Sequence, residues 1–165
     1  MSGLGILEYP DPRLRQPSKP VTVFDDDLNS LIDRLLETLY ATHSIGLSAP
    51  QLNDHRQVLV ADLSEDQSDP QIYVNPQILS KGAWGFVEER CLSVPDVVGN
   101  VIRATRIRVR AQDRHGVFFE SDLTGMNAVC LQHEMDHLAG KLFVDRLSIF
   151  KRLRLRRQER RRRAA

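Results

Sequence analysis

The chain has 165 residues, 41% of them hydrophobic and 27% charged, with a formal net charge of +1. That is enough chain for one domain with a real core. No apolar run approaches the roughly 18 residues a membrane span needs, and Met1-Ser2-Gly3-Leu4-Gly5 lacks the basic and apolar regions of a secretory signal.

The near-neutral total hides a polarised chain. Residues 151–163 carry nine Lys or Arg and one Glu, a charge of about +8, which leaves the remaining residues at about −7. Such a block is a solvated helix or tail, or a handle for phosphate-rich partners. Only two cysteines occur, Cys91 and Cys130. In an intracellular setting they point to metal binding or plain burial rather than to a disulfide.

From Met1 to Val23, Pro10, Pro12, Pro17 and Pro20 predict an extended arm that wraps the domain. Asp25, Asp26 and Asp27 then supply a cap and a favourable dipole for a helix. Its apolar stripe is Leu28, Leu31, Ile32, Leu35, Leu36 and Leu39, ending near Ala41 or Thr42. Gly46-Leu47-Ser48-Ala49-Pro50-Gln51 reads as a loop of small residues, Val58 to Ala61 as a short buried strand and Asp62 to Pro70 as a polar loop.

Further strands are expected at Ile72 to Val74, Ala83 to Val87 and Val101 to Gln112. In the last, Ile107, Val109 and Ala111 alternate with Arg106, Arg108 and Arg110, so one face is buried and the arginines form a solvated face rather than a nucleic-acid patch. Asp113-Arg114-His115-Gly116 marks a turn into Val117 to Phe119. A helix follows from about Leu123 to Leu138, stopped by Gly140. Leu147, Phe150, Leu153 and Leu155 fall near helical spacing, so the start of the tail is expected to be helical and packed, with Arg160 to Arg163 exposed.

The chemistry is concentrated in His133-Glu134-Met135-Asp136-His137. Histidines four apart stand one above the other on a helix and reach a single cation, and the adjacent glutamate is placed to move protons of a water there. Met126, Val129 and Cys130 continue the same face, as core or as the lining of a pocket. Cys130, one turn from His133, converges poorly with both imidazoles. Cys91, following a predicted strand, is the better third ligand. A thiolate with two imidazoles and an open position is a catalytic set, compatible with iron(II), zinc or cobalt.

Three segments, Gly46-Leu47-Ser48-Ala49-Pro50-Gln51, Glu89-Arg90-Cys91-Leu92-Ser93 and Gln132-His133-Glu134-Met135-Asp136-His137-Leu138, resemble the three motifs of peptide deformylases, in the same order. Ile6 to Arg15 and Gly140 to Asp145 are also similar to that family, so the resemblance covers nearly the whole chain. It implies a metallohydrolase that removes the N-formyl group from the initiator methionine of nascent polypeptides. Cys91, His133 and His137 would hold a divalent metal, iron(II) by family preference, with zinc(II), nickel(II) or cobalt(II) as substitutes. The metal would acidify a water that attacks the formyl carbon. Glu134 would serve as general base and acid, and the Leu92 backbone N–H and the Gln51 amide would meet the oxyanion. Ile45, Val87, Met126, Val129 and Cys130 would line the methionine pocket, with Gly46 leaving room for an extended peptide backbone. Glu89 and Arg103 match a charged pair of the family, read as a brace for the Cys91 loop.

The chain departs from the family pattern at three places. Ser44 and Arg90 stand where the family has glycine, and Asp96-Val97-Val98-Gly99-Asn100 lacks the arginine often found there. Arg90 is therefore expected at the peptide groove, gripping the substrate or crowding it.

Together these readings predict one α+β domain, with mixed or antiparallel sheets around a central metal-binding helix, an N-terminal helix and a basic C-terminal helix. Residues 1–150 would form the catalytic domain and 151–165 the basic tail. The expected enzyme is a cytoplasmic monomer without membrane contact, whose tail reaches ribosomal RNA. Two alternatives are a low-activity, ribosome- or RNA-binding relative and a zincin-type peptidase. The second needs a downstream ligand, for which only Asp145 and Glu159 are available.

Overall fold

A computed structural model describes residues 5–164, except for the side chains of residues 159 and 162–164. The start of the predicted arm, Met1 to Leu4, and Ala165 at the end of the tail lie outside the described residues.

From Gly5 the arm runs along the domain and is pinned at intervals. Leu7 N–H donates to the Gln51 carbonyl (2.8 Å), Tyr9 N–H to that of Ser93 (2.6 Å), and Ser18 N–H to that of Leu138 (2.8 Å). The arm thus touches all three motif segments. Helix α1 (Asp26–Ala41) begins where Asp25 accepts from the Leu28 N–H at 3.0 Å. Asp26 and Asp27 place negative charge on the positive end of its dipole. Its stripe of Leu28, Leu31, Ile32, Leu35 and Leu39 is buried against Leu47, Val58, Val60 and Val74.

Five strands form one antiparallel sheet in sequence order: β1 (Gly46–Ser48), β2 (Val58–Ala61), β3 (Gln71–Cys91), β4 (Val94–Gln112) and β5 (Phe118–Thr124). The expected loop at 46–51 is instead β1 followed by a 3₁₀ turn over Ala49–Leu52. Such small residues carry no alternating pattern, and β1 exists because Gly46 to Ser48 pair with Ala61 to Leu59. The separate strands expected at 72–74 and 83–87 are parts of one strand, β3, with register shifts between Val74 and Gln77 and between Ile78 and Ser80. Those irregularities interrupt the period of two from which strands are read.

Strand β2 is buried along its whole length because it is covered on both faces. Val58 and Val60 face α1, whereas Leu59 joins Tyr73, Ala104, Ile107, Val109 and Ala111 under helix α2 (Gly125–Leu138). The sheet is therefore a platform with α1 on one side and α2 on the other. The arginine alternation in β4 is as expected: Ile107, Val109 and Ala111 are buried while Arg106, Arg108 and Arg110 are not.

Gly140, at φ +71°, ends the α2 segment, and a Cβ there would lie 2.4 Å from the Arg15 carbonyl oxygen. A 3₁₀ turn at Phe143–Arg146 then leads into helix α3 (Ile149–Ala164). The tail is helical, as its spacing predicts, but little of it is packed. Leu147 is buried and Leu155 partly so, while Phe150 is 81% exposed and Leu153 is also exposed. No helix among the described residues is long and apolar enough to cross a membrane.

Candidate metal centre and active site

Helix α2 presents Cys130, His133, Glu134 and His137 as a buried face. Opposite lies the tip of the β3–β4 ribbon. There Cys91 pairs with Val94 across the two-residue turn Leu92-Ser93, so a short hairpin aims the sulfur back at the helix. One donor atom each from Cys91, His133 and His137 falls within 4.8 Å of the others. The Cys91 Sγ and His137 Nε2 atoms are 3.3 Å apart.

The two imidazoles are held differently. His133 Nδ1 is 2.8 Å from Glu89 Oε2, which makes this nitrogen the protonated donor and leaves Nε2 as the ligand atom. Phe143 stacks on the same ring, with centroids 6.0 Å apart. His137 meets His133 edge-on, and its buried Nδ1 has no hydrogen-bond partner among the described residues.

The Glu89 carboxylate also takes both sides of a guanidinium, with Arg103 Nε at 2.7 Å and Nη2 at 3.0 Å. Burial raises the Glu89 carboxyl, but the His133 and Arg103 hydrogen bonds outweigh it and hold the group below its ordinary range. Arg103 is 1% exposed and completes its pairing on Asp136 Oδ2, at 2.6 Å from Nη1. The ion pair of Glu89 with Arg103 is thus as expected from the sequence. Its direct grip on a ligand histidine was missed. The signal was available: Glu89 and Cys91 are two apart on a strand and share a face.

Glu134 stands beside the cluster. Burial pushes its carboxyl up, against the opposing pull of His133. Its buried Oε2 has no partner among the described residues. Gln51 is oriented by its neighbours. Its Oε1 accepts from the Ser48 N–H and the Ser48 hydroxyl, both at 2.9 Å. Because a backbone N–H can only donate, the Nε2 end must face the other way, where it lies 3.1 Å from Ser93 Oγ and 3.9 Å from Cys91 Sγ.

A cleft of about 660 Å³ opens on these groups. Of the residues singled out in the sequence, Ile45, Gly46, Gln51, Arg90, Cys91, Leu92, Met126, Val129, Cys130, His133 and Glu134 line it. Val87 is half-buried on β3 and is not among the lining residues. Arg90 projects from the rim, exposed and 3.8 Å from Glu88. Ser44 is also at the rim, its hydroxyl 2.9 Å from that of Thr42. Gly46 has a reason beyond access for a ligand: a Cβ there would come within 2.6 Å of Cys130 Sγ and 2.8 Å of Glu134 Oε1. Glycine lets β1 lie directly against α2. Cys130 is free, and burial raises its thiol, so it is a packed apolar group. Of the downstream acids a zincin would need, Asp145 is held by Arg15 at 2.5 and 3.0 Å, and the Glu159 side chain lies outside the described residues.

The donor set fits a cation. One sulfur and two imidazole nitrogens converge, one imidazole is already oriented from behind, and a buried carboxylate oxygen is left without a partner beside them. The α+β fold and this site define a metal-dependent hydrolase.

Comparison with known proteins gives the class its particular form. A profile of the polypeptide deformylase family matches residues 4–153. Curated peptide deformylases from Hahella chejuensis and Pseudomonas aeruginosa are each 49% identical to the chain, over 159 and 160 residues, covering 96% of this chain and 95% of the relative. A crystal structure of a peptide deformylase from Legionella pneumophila matches with a TM-score of 0.89 at 43% identity, covering 96% of both chains. That of Synechococcus elongatus, in complex with actinonin, matches at 0.85 and 38% identity over 90% of this chain and 83% of that one. The chain belongs to the polypeptide deformylase family, and its activity is that family's: metal-dependent removal of the formyl group from nascent polypeptides. The peptidase and binding-protein alternatives are not favoured.

Proposed function

We propose that Cys91, His133 and His137 hold iron(II), with zinc(II), nickel(II) or cobalt(II) as substitutes, and that the cleft beside them takes the N-formylmethionyl end of a nascent chain. The observation that carries this is the convergence of the three donor atoms within 4.8 Å, next to the buried Glu134 carboxylate. A cation held there is a Lewis acid that makes water nucleophilic near neutral pH.

The protein's own groups do the rest. Glu134 takes a proton from the attacking water and delivers it to the departing amine nitrogen. Its raised pKa suits both directions of transfer. The Gln51 Nε2 donor and the Leu92 backbone N–H stabilise the oxyanion that develops on the formyl oxygen. Losing one such donor typically costs about 3 kcal/mol, roughly 100-fold in rate. Ile45, Met126, Val129 and Cys130 give an apolar wall suited to an unbranched methionine side chain. Among the described residues β1 has only β2 as a strand neighbour, which supports pairing of an extended peptide along Ile45 and Gly46. Arg90 at the rim grips the peptide in place of the missing arginine.

Residues 1–150 are the catalytic unit and 151–165 a basic appendage. The enzyme works as a cytoplasmic monomer, and α3 brings it to ribosomal RNA. Removing residues 151–165 should weaken ribosome binding and flatten its salt dependence. The primary test is formate release from formyl-Met-Ala-Ser by protein loaded anaerobically with iron(II), with Glu134→Ala as control. Equal release by both proteins, or none from folded, loaded wild type, would overturn the proposal.

A further inference from the structure

We propose that Arg146 is a positioning residue for the ligand His133, acting through an unbroken chain of charges that starts at the surface and ends on the imidazole. The inference rests on the assignment of His133 as a metal ligand.

The chain can be followed atom by atom. Arg146 Nε and Nη2 grip Asp136 at 2.7 and 2.8 Å. Asp136 Oδ2 also receives Arg103 Nη1 at 2.6 Å. Arg103 forks onto both oxygens of Glu89, and Glu89 Oε2 accepts from His133 Nδ1 at 2.8 Å. Cation and anion alternate at each step, and the inner members are buried: Arg103 is 1% exposed and Glu89 6%. In such a setting each pair fixes the geometry of the next, because no water competes for the hydrogen bonds.

The same 3₁₀ turn that carries Arg146 also carries Phe143, which stacks on His133. Arg146 ties this turn to α2 through Asp136, one helical turn beyond His133. Phe143 and Glu89 therefore hold the ring from two sides, and Arg146 anchors both arrangements from outside.

Two consequences follow when Arg146 is removed. The full charge of Asp136 competes with Glu89 for Arg103, and the turn bearing Phe143 loses its tether. Both loosen the imidazole, so bound metal escapes faster. Groups that directly orient a ligand change metal affinity or activity about 10- to 100-fold. Arg146 acts through three intervening residues, Asp136, Arg103 and Glu89, and is partly exposed, so we expect about a 3- to 10-fold faster loss.

The test uses the full chain loaded with cobalt(II), whose visible bands report the coordination of a thiolate–imidazole site. Chelator-driven release of cobalt is timed for wild type, Arg146→Ala, Arg146→Lys and, as control, Arg108→Ala, which breaks an exposed pair with Glu120 remote from this chain of charges. Faster release and shifted bands in Arg146→Ala, an intermediate rate in Arg146→Lys and no change in the control are expected. The loss of activity should fall on kcat rather than KM. Release at the wild-type rate in Arg146→Ala, even with a lowered Tm, reduces Arg146 to a structural contact and overturns the inference. If Arg146→Ala does not fold, Arg146→Lys decides, since it keeps the charge and loses the fork. A wild type that takes up no cobalt overturns the ligand assignment itself, whereas a cobalt-binding wild type with unresponsive variants overturns only the role of Arg146.

Discussion

Helices α1 and α2 are close in length, 16 and 14 residues, and both lie against the same sheet, yet they are held by different physics. The buried side of α1 is leucine and isoleucine apart from Thr38, whose hydroxyl donates to the Arg34 carbonyl of the same helix, and its contacts with the sheet are non-directional. The buried side of α2 includes Gln132, His133, Glu134 and His137, which burial would penalise unless each found a partner or a function. Gln132 does so with backbone, donating to the Ala104 carbonyl at 2.7 Å and accepting from the Ala104 N–H at 3.3 Å. His133 does so with Glu89. Glu134 Oε2 and His137 Nδ1 do not, among the described residues, and they lie at the centre where the chemistry is proposed. One helix is a tolerant wall, the other a set of fixed positions.

The contrast can be broken most decisively at Glu134. Glu134→Ala should lower kcat for formate release by about 100- to 10,000-fold, the usual range for a positioned general acid–base, with little change in metal content. Because burial raises this carboxyl, and the base must be ionised, wild-type kcat/KM should fall as pH drops through a value above the ordinary glutamate range. An acid limb at that ordinary range would remove Glu134 as the titrating base.

Next in size is the brace. Glu89→Ala leaves Arg103 buried with one of its two carboxylates gone and His133 Nδ1 unpaired, and should cost about 3–5 kcal/mol by chemical denaturation. Metal retention should fall with it. A smaller loss would mean that Asp136 alone can satisfy Arg103.

On α1, Leu35→Ala should cost about 2–5 kcal/mol in the same assay. Here kcat per folded molecule should not change, since Leu35 belongs to the cluster on the far side of the sheet. A drop in kcat would show that the two faces are coupled through β2. The smallest effect is expected at Asp25→Ala, which removes the acceptor for the Leu28 N–H and should lower stability by about 1 kcal/mol.

What could be read from the sequence followed the same division. The stripe of α1, the alternation of Ile107, Val109 and Ala111, and the spacing of His133 and His137 are periodic, and period is what a sequence displays directly. The motif segments carried the family and the candidate ligands. Less was legible where pairing rather than pattern decides. Gly46 to Ser48 form a strand only because Leu59 to Ala61 lie beside them. β3 runs through its own irregularities because β4 follows it along the ribbon. The apolar spacing in the tail predicted a packed helix, and the helix is there, but Phe150 and Leu153 meet no core.

The sequence by itself therefore determined the class of fold, the metal-binding pattern of α2 and the cap and stripe of α1, since these depend on neighbours within a few residues. Behind the ligands the family resemblance supplied the Glu89–Arg103 pair, while the tertiary structure alone decided its grip on His133 and its link to Asp136 and Arg146. Glu89, Arg103, Asp136 and Arg146 come from a strand, its partner, the motif helix and the turn beyond it. No local period links them. They are joined because charges that leave water together must satisfy one another, and only the folded chain brings them within reach.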